Sequence, residues 1–155
     1  MITTSQSSSE TVTEALTDEP LISYHEEIET VIAGLAQDQK AMVGQSEDGH
    51  LWKFQYGSAE ILVQLTGETD DDNLTVWSPV LKLPAKNEDQ LMRKLMEMNW
   101  LNTFESHFAV TSNQIVVLST RTLAGITAGE ISRIITVVAT IADDNDDILQ
   151  EEFGQ

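Results

Sequence analysis

The chain has 155 residues, 8 basic against 26 acidic, giving a formal charge of -18 and a pI near 4.2. A surface this acidic repels nucleic acid and anionic membrane, so neither is expected as a partner. Cysteine is absent, which removes disulfides, thiol nucleophiles and thiolate metal sites and suits a reducing, cytoplasmic setting. No stretch approaches the roughly 20 apolar residues of a spanning helix.

In chain order, residues 1–20 read as a disordered, acidic tail rich in Ser and Thr, and residues 21–155 as a single domain. Met1 to Pro20 holds no basic residue and no apolar run, which does not fit a secretory or transit peptide. Ser23 and Glu26 then have capping-box spacing, and Ile28, Val31, Ile32 and Leu35 form a helical apolar stripe ending between Leu35 and Gln39. QSEDG, Gln45 to Gly49, is turn chemistry. LWKFQYGSAEILVQLTG from Leu51 is a hairpin turning at Gly57-Ser58. With Tyr56 and Ala59 flanking the turn, Phe54 faces Ile61 and Trp52 faces Val63, and most apolar residues share one side. That one-sidedness predicts an antiparallel sheet covered on one face by helices.

After the loop from Glu68 to Asn73, a third strand runs from Leu74 to Leu83, with Pro79 marking an edge or a bulge. Asn87 and Gln90 have the spacing of a cap for a second helix that carries Leu91, Leu95 and Met98. Strands around Glu105 to Val110 and Ile115 to Thr120 follow, turning near Ser112 and Asn113. Thr127 and Glu130 cap a final helix, with Ile131, Ile134, Ile135, Val138 and Ala142 on one side and a polar stripe that includes Asp143 and Asp147 on another. The fold class is therefore α+β, a five-stranded antiparallel sheet with elements in the order α-β-β-β-α-β-β-α. Connections this short do not make parallel crossovers.

No catalytic constellation emerges. His25-Glu26-x-x-Glu29 lacks the second histidine of the helical zinc pattern. Asp143-x-Asn145-x-Asp147 has calcium-loop spacing, but Ile148 stands where that loop needs Gly and Gly154 where it needs Glu. Neither Gly57-Ser58 nor Gly44-Gln45-Ser46 sits in a nucleophile elbow. No catalytic residue, metal ligand or cofactor is expected. The stronger signal is a binding surface. Met92, Met96 and Met98, together with Leu91 and Leu95, give the second helix more apolar surface than one core-facing stripe requires. Trp77 lies on the opposite strand face from Leu74 and Val76 and offers a further anchor.

The runs LWKFQYG from Leu51, TVWSPVLKLP from Thr75, LMRKLMEMNW from Leu91, STRT from Ser119, GEISRII from Gly129 and ADDNDD from Ala142 resemble the YbjN-like family of bacterial sensory transduction regulators. The likeness extends from Leu21 to Phe153 and is strongest to the family's cyanobacterial branch. It implies a fold similar to the type III secretion chaperones, which are small, acidic, dimeric α+β proteins that hold a client segment in extended form. It implies no enzymatic activity and no cofactor, and a dimer built on the second helix, with Leu91, Leu95 and Met98 near a two-fold axis. The expectation is a non-enzymatic, cytoplasmic, homodimeric adaptor, chaperone-like or regulatory, for an unidentified protein client, reached through Leu91, Met92, Leu95, Met96, Met98 and Trp77. The alternative is a cation- or small-ligand-responsive regulator using the acids from Asp143 to Asp147.

Overall fold

A computed structural model describes residues 23–36, 42–46 and 49–155. The tail expected over residues 1–20 lies outside the described residues. The elements are α1 (Tyr24–Leu35), β1 (Met42–Ser46), β2 (Gly49–Tyr56), β3 (Ala59–Leu65), β4 (Asn73–Lys82), α2 (Glu88–Leu101), β5 (His107–Thr111), β6 (Gln114–Thr122) and α3 (Ala128–Phe153). The five expected strands are present in the expected order, and β1 adds a sixth ahead of them. Gln45, Ser46 and Gly49, read from sequence as turn, are strand; the two residues between Ser46 and Gly49 lie outside the described residues. All pairings are antiparallel, in the order β1-β2-β3-β4-β6-β5.

The β2-β3 hairpin has the register its two-residue turn dictates, with Trp52 opposite Val63 and Phe54 opposite Ile61. These four are buried with Leu65, Leu74 and Val76 on one face. Against that face lies α3, which buries Ile131, Ile135, Val138 and Ala142 on strands β3, β4 and β6, while α1 packs on α3 through Ile28 and Ile32. Each such side chain contributes about 1.5–3 kcal/mol when fully buried. The 26-residue length of α3, with its terminal Leu149 and Phe153 buried, is what makes β-branched residues tolerable in a helix here.

Thr127 and Ser23 act as N-caps, their hydroxyls accepting the backbone N–H groups of Glu130 and Glu26 at 3.2 and 3.3 Å. Asn87 does not cap α2 with its side chain: its backbone is left-handed, at φ 50°, so the Asn87–Gln90 cap does not form. Glu88 and Asp89 in the first turn favour that helix end through the dipole instead.

Pro79 sits in a central strand and produces a register shift between Pro79 and Leu81. The β3-β4 register ends at Leu62 opposite Trp77; extended, it would set Pro79, which has no N–H, opposite Glu60. The Ser78 hydroxyl supplies the missing donor, bonding the Glu60 carbonyl oxygen at 2.7 Å.

Candidate protein-binding surface

The residues singled out on α2 separate into two sets. Leu91 and Leu95 are buried and face the core. Met92 and Met98 are half-buried against it, and Met96 is 70% exposed. Met92, Leu95 and Met96 line a groove of about 210 Å³ with Asn99, Phe108, Ala109 and Val110, where α2 lies beside β5. Trp77 does not join them. It lies half-buried on the far face of the sheet, in a cleft of about 390 Å³ with Gln64, Thr75, Val116 and Leu118. Val116, opposite Pro79, is nearly buried on that face.

Trp100, passed over in the sequence and 81% exposed, extends the α2 surface, while Leu101 and Phe104, 76% and 75% exposed, stand at the end of the helix and in the turn beyond it. Met92, Met96 and Trp100 recur every four residues and so form one ridge along the helix. Val110, 55% exposed on β5, borders it. Large apolar side chains scattered singly on a surface need no explanation, but a contiguous ridge beside a groove does.

β5 is the end strand of the sheet, yet its edge is partly closed. The Asn99 carboxamide accepts the Phe108 backbone N–H at 2.7 Å and donates to the Phe108 carbonyl at 3.3 Å, occupying the groups an added strand would use. Side chains of α2, not the strand edge, are thus the accessible feature. Asn99 also fixes α2 on β5, so the ridge stands on a rigid base.

The acidic stretch near the end of the chain is helical, which rules out the loop that calcium-type ligand spacing presupposes. Asp143 accepts the Ser58 backbone N–H at 3.0 Å and the Ser58 hydroxyl at 3.2 Å, and Asp146 takes the same hydroxyl at 2.8 Å. Together they latch the β2-β3 turn to α3. Asn145 donates to the Ile141 carbonyl one turn earlier. Among the described residues no group of three or more histidine or acidic side chains is arranged to hold a metal.

His25 and His50, 25 positions apart in sequence, meet with ring centroids 4.6 Å apart, beside Trp52. His25 Nε2 pairs with Glu29 at 2.9 Å, and the Trp52 indole N–H reaches the same carboxylate at 3.4 Å. This cluster pins the start of α1 to β2. Elsewhere, hydrogen bonds from the Thr69 hydroxyl and backbone N–H hold the Asp72 carboxyl below its ordinary range. Arg133 does the same for Glu105, at 2.6 Å.

Residues 24–151 match the family model YbjN, described as "putative bacterial sensory transduction regulator". No curated protein matches the sequence. Among solved structures, a chain of the crystal structure of the ExsC–ExsE complex superposes with a TM-score of 0.58 at 14% identity, covering 83% of this chain and 97% of that one. A chain of the HopA1–SchA chaperone–effector complex gives 0.54 at 6% identity, covering 80% and 93%. At such identities the likeness establishes the fold, which is the chaperone-like α+β fold the resemblance implied.

Proposed function

The chain belongs to the YbjN family, and on that premise we propose that it is a non-enzymatic, cytoplasmic protein-binding module, a chaperone-like or regulatory adaptor that works as a homodimer. The observation that carries the proposal is the exposed ridge of Met96 and Trp100 on α2, continued by Met92 and bordered by Val110. Two copies related by a two-fold axis would bury one ridge against the other, since a closed symmetric pair must use the same patch twice. The buried Leu95 forms the floor of the adjoining groove. Methionine suits such a surface because its unbranched thioether adapts to the partner's shape. The structural neighbours support a protein client, being complexes of a chaperone with an effector or of ExsC with ExsE.

Clients would be gripped by side chains and not by strand addition at β5, because Asn99 already occupies the backbone of Phe108. The cation-responsive alternative is not favoured, since Asp143 and Asp146 are engaged by Ser58. Sedimentation velocity on the wild type and on Met96→Glu tests the proposal. We expect a dimer for the former and a folded monomer for the latter. A wild-type monomer at tens of micromolar would reject the dimer.

A further inference from the structure

A second apolar surface lies away from the α2 ridge, along the outer side of α3. Val137, Thr140, Ile141, Asp144, Ile148 and Glu151 recur at three- and four-residue intervals and so share one face of the helix, with Ile141 buried and Val137 half-buried at its base. At the N-terminal end of this stripe, Thr136, Val137, Thr140 and Ile141 line a groove of about 120 Å³ whose far wall is Phe104. Ile148, 53% exposed, lies further along. From Val137 to Ile148 the stripe runs three turns, about 16 Å at 1.5 Å per residue.

Two features of the turn after α2 set Phe104 apart from an incidental surface aromatic. Its backbone is left-handed, at φ 52°, a region that bulky residues seldom occupy, and the ring is 75% exposed. Beside it the buried hydroxyl of Thr103 has no hydrogen-bond partner among the described residues. The turn therefore bears local strain while presenting a phenyl ring to solvent at the wall of a groove, the circumstance in which strain is retained for binding.

The charges bordering the groove specify its occupant. Of the acids in the last three turns of α3, Asp143 and Asp146 are engaged by Ser58, and Glu152 pairs with Lys94 at 2.7 Å. Asp144 and Asp147 on the outer side, with Glu151 a turn later, have no cation among the described residues. Glu151 also lies in the last turn of α3, where the dipole disfavours negative charge and no basic residue offsets it, and Asp144 and Asp147 add like charge a turn or two before it. A cationic partner would relieve both. We propose that this face of α3 binds a basic amphipathic helix of a partner protein. Its apolar residues, spaced three and four apart, enter the Phe104–Val137–Ile141 groove and cover Ile148, while its Lys and Arg residues meet Asp144, Asp147 and Glu151. The inference rests on the protein-binding reading but not on the dimer.

The test is a fluorescence-anisotropy titration of the full chain with a labelled three-turn peptide, Leu at helical spacing on one face and Lys and Arg on the other. A scrambled peptide of equal composition and one with Glu for each basic residue serve as controls. We expect saturable binding of the patterned peptide only, weakening on the order of tenfold between about 50 and about 300 mM salt as screening grows. Phe104→Ala and Ile148→Ser, both at exposed positions, should each reduce it several-fold, as should Asp144→Asn with Asp147→Asn. The matched loss of charge in Asp70→Asn with Asp71→Asn should leave it intact. No binding, or equal binding of the scrambled peptide, overturns the inference. So does indifference to Phe104→Ala and Ile148→Ser. Sedimentation of the same samples separates the two surfaces: if Phe104→Ala changes the oligomer's mass, this face belongs to self-association and the proposal fails, while the protein-binding reading stands.

Discussion

Replacing Asp143 by alanine removes the carboxylate oxygen that accepts the Ser58 backbone N–H at 3.0 Å and shares the Ser58 hydroxyl at 3.2 Å. The hydroxyl keeps Asp146 at 2.8 Å, so one charge-assisted bond is lost outright. Hydrogen bonds to charged groups contribute about 1.5–3 kcal/mol, with the lower figure appropriate to an exposed turn. Part of this is offset, by about 0.2–0.5 kcal/mol for each pair, because removing Asp143 relieves its repulsion with Asp146 and Asp147, three and four residues further along the helix. The net expectation is a loss of about 1 kcal/mol, which in a domain of this size lowers the melting temperature by about 2–4 °C. Asp143→Asn keeps an acceptor and removes the charge, so it should fall between wild type and Asp143→Ala. Scanning calorimetry of the three proteins at neutral pH decides the matter. A melting temperature for Asp143→Ala equal to or above that of wild type would mean that the latch adds nothing beyond the charge repulsion it tolerates. Gly57→Ala should cost more than either, because residue 57 has φ +58° and a Cβ there would fall on the Asp143 carboxylate.

Other consequences follow from burial and charge. Leu95 is 4% exposed in the core under α2, so Leu95→Asp strands a carboxylate without water or partner; a chemical-denaturation curve should show a loss of several kcal/mol, and a midpoint within error of wild type would contradict the packing of α2. Asp72 and Glu105 both have carboxyls held below the ordinary range, by Thr69 and Arg133. Depressed folded-state values mean that their stabilisation is complete above the unfolded value near 4 and disappears as pH falls through the folded one. Asp72→Asn should therefore flatten the stability profile below about pH 4 while leaving its slope above pH 6 unchanged; an unaltered acid limb in urea titrations at each pH would refute this.

What was legible in the sequence, and what was not, has physical causes. The hairpin was readable to the residue because a two-residue turn fixes register, and a one-residue slip would have turned Trp52, Phe54, Ile61 and Val63 out to solvent. The start of α3 followed from its cap, but its end at Phe153 did not, because the apolar stripe read from the sequence stopped at Ala142 and the buried Leu149 and Phe153 lie beyond the acidic run. Strand β1 escaped notice because MVGQS offers neither alternation nor a β-branched run and contains Gly44. The candidate surface was only half legible. A methionine-rich helix was apparent, but which side chains face outward depends on phase: Trp100 lies about 140° round the helix from the buried Leu95 at 100° per residue, a signal that could have placed it outside. Phe104 gave no such signal, since its exposure comes from a left-handed turn that no periodicity encodes. The Asp143 spacing imitated a cation loop because ligand patterns ignore whether the backbone is helical. The His25–His50 contact is long-range and depends on where α1 meets β2.

The absence of cysteine from the sequence makes the α2 ridge directly accessible to measurement, because one introduced thiol reports without interference. In Met96→Cys, treatment with a short bis-maleimide should yield a covalent species of twice the chain mass at protein concentrations where Glu68→Cys, in the loop between β3 and β4, yields none. Monomer alone from Met96→Cys under those conditions, or equal cross-linking from both positions, would contradict a dimer built on the Met96–Trp100 ridge.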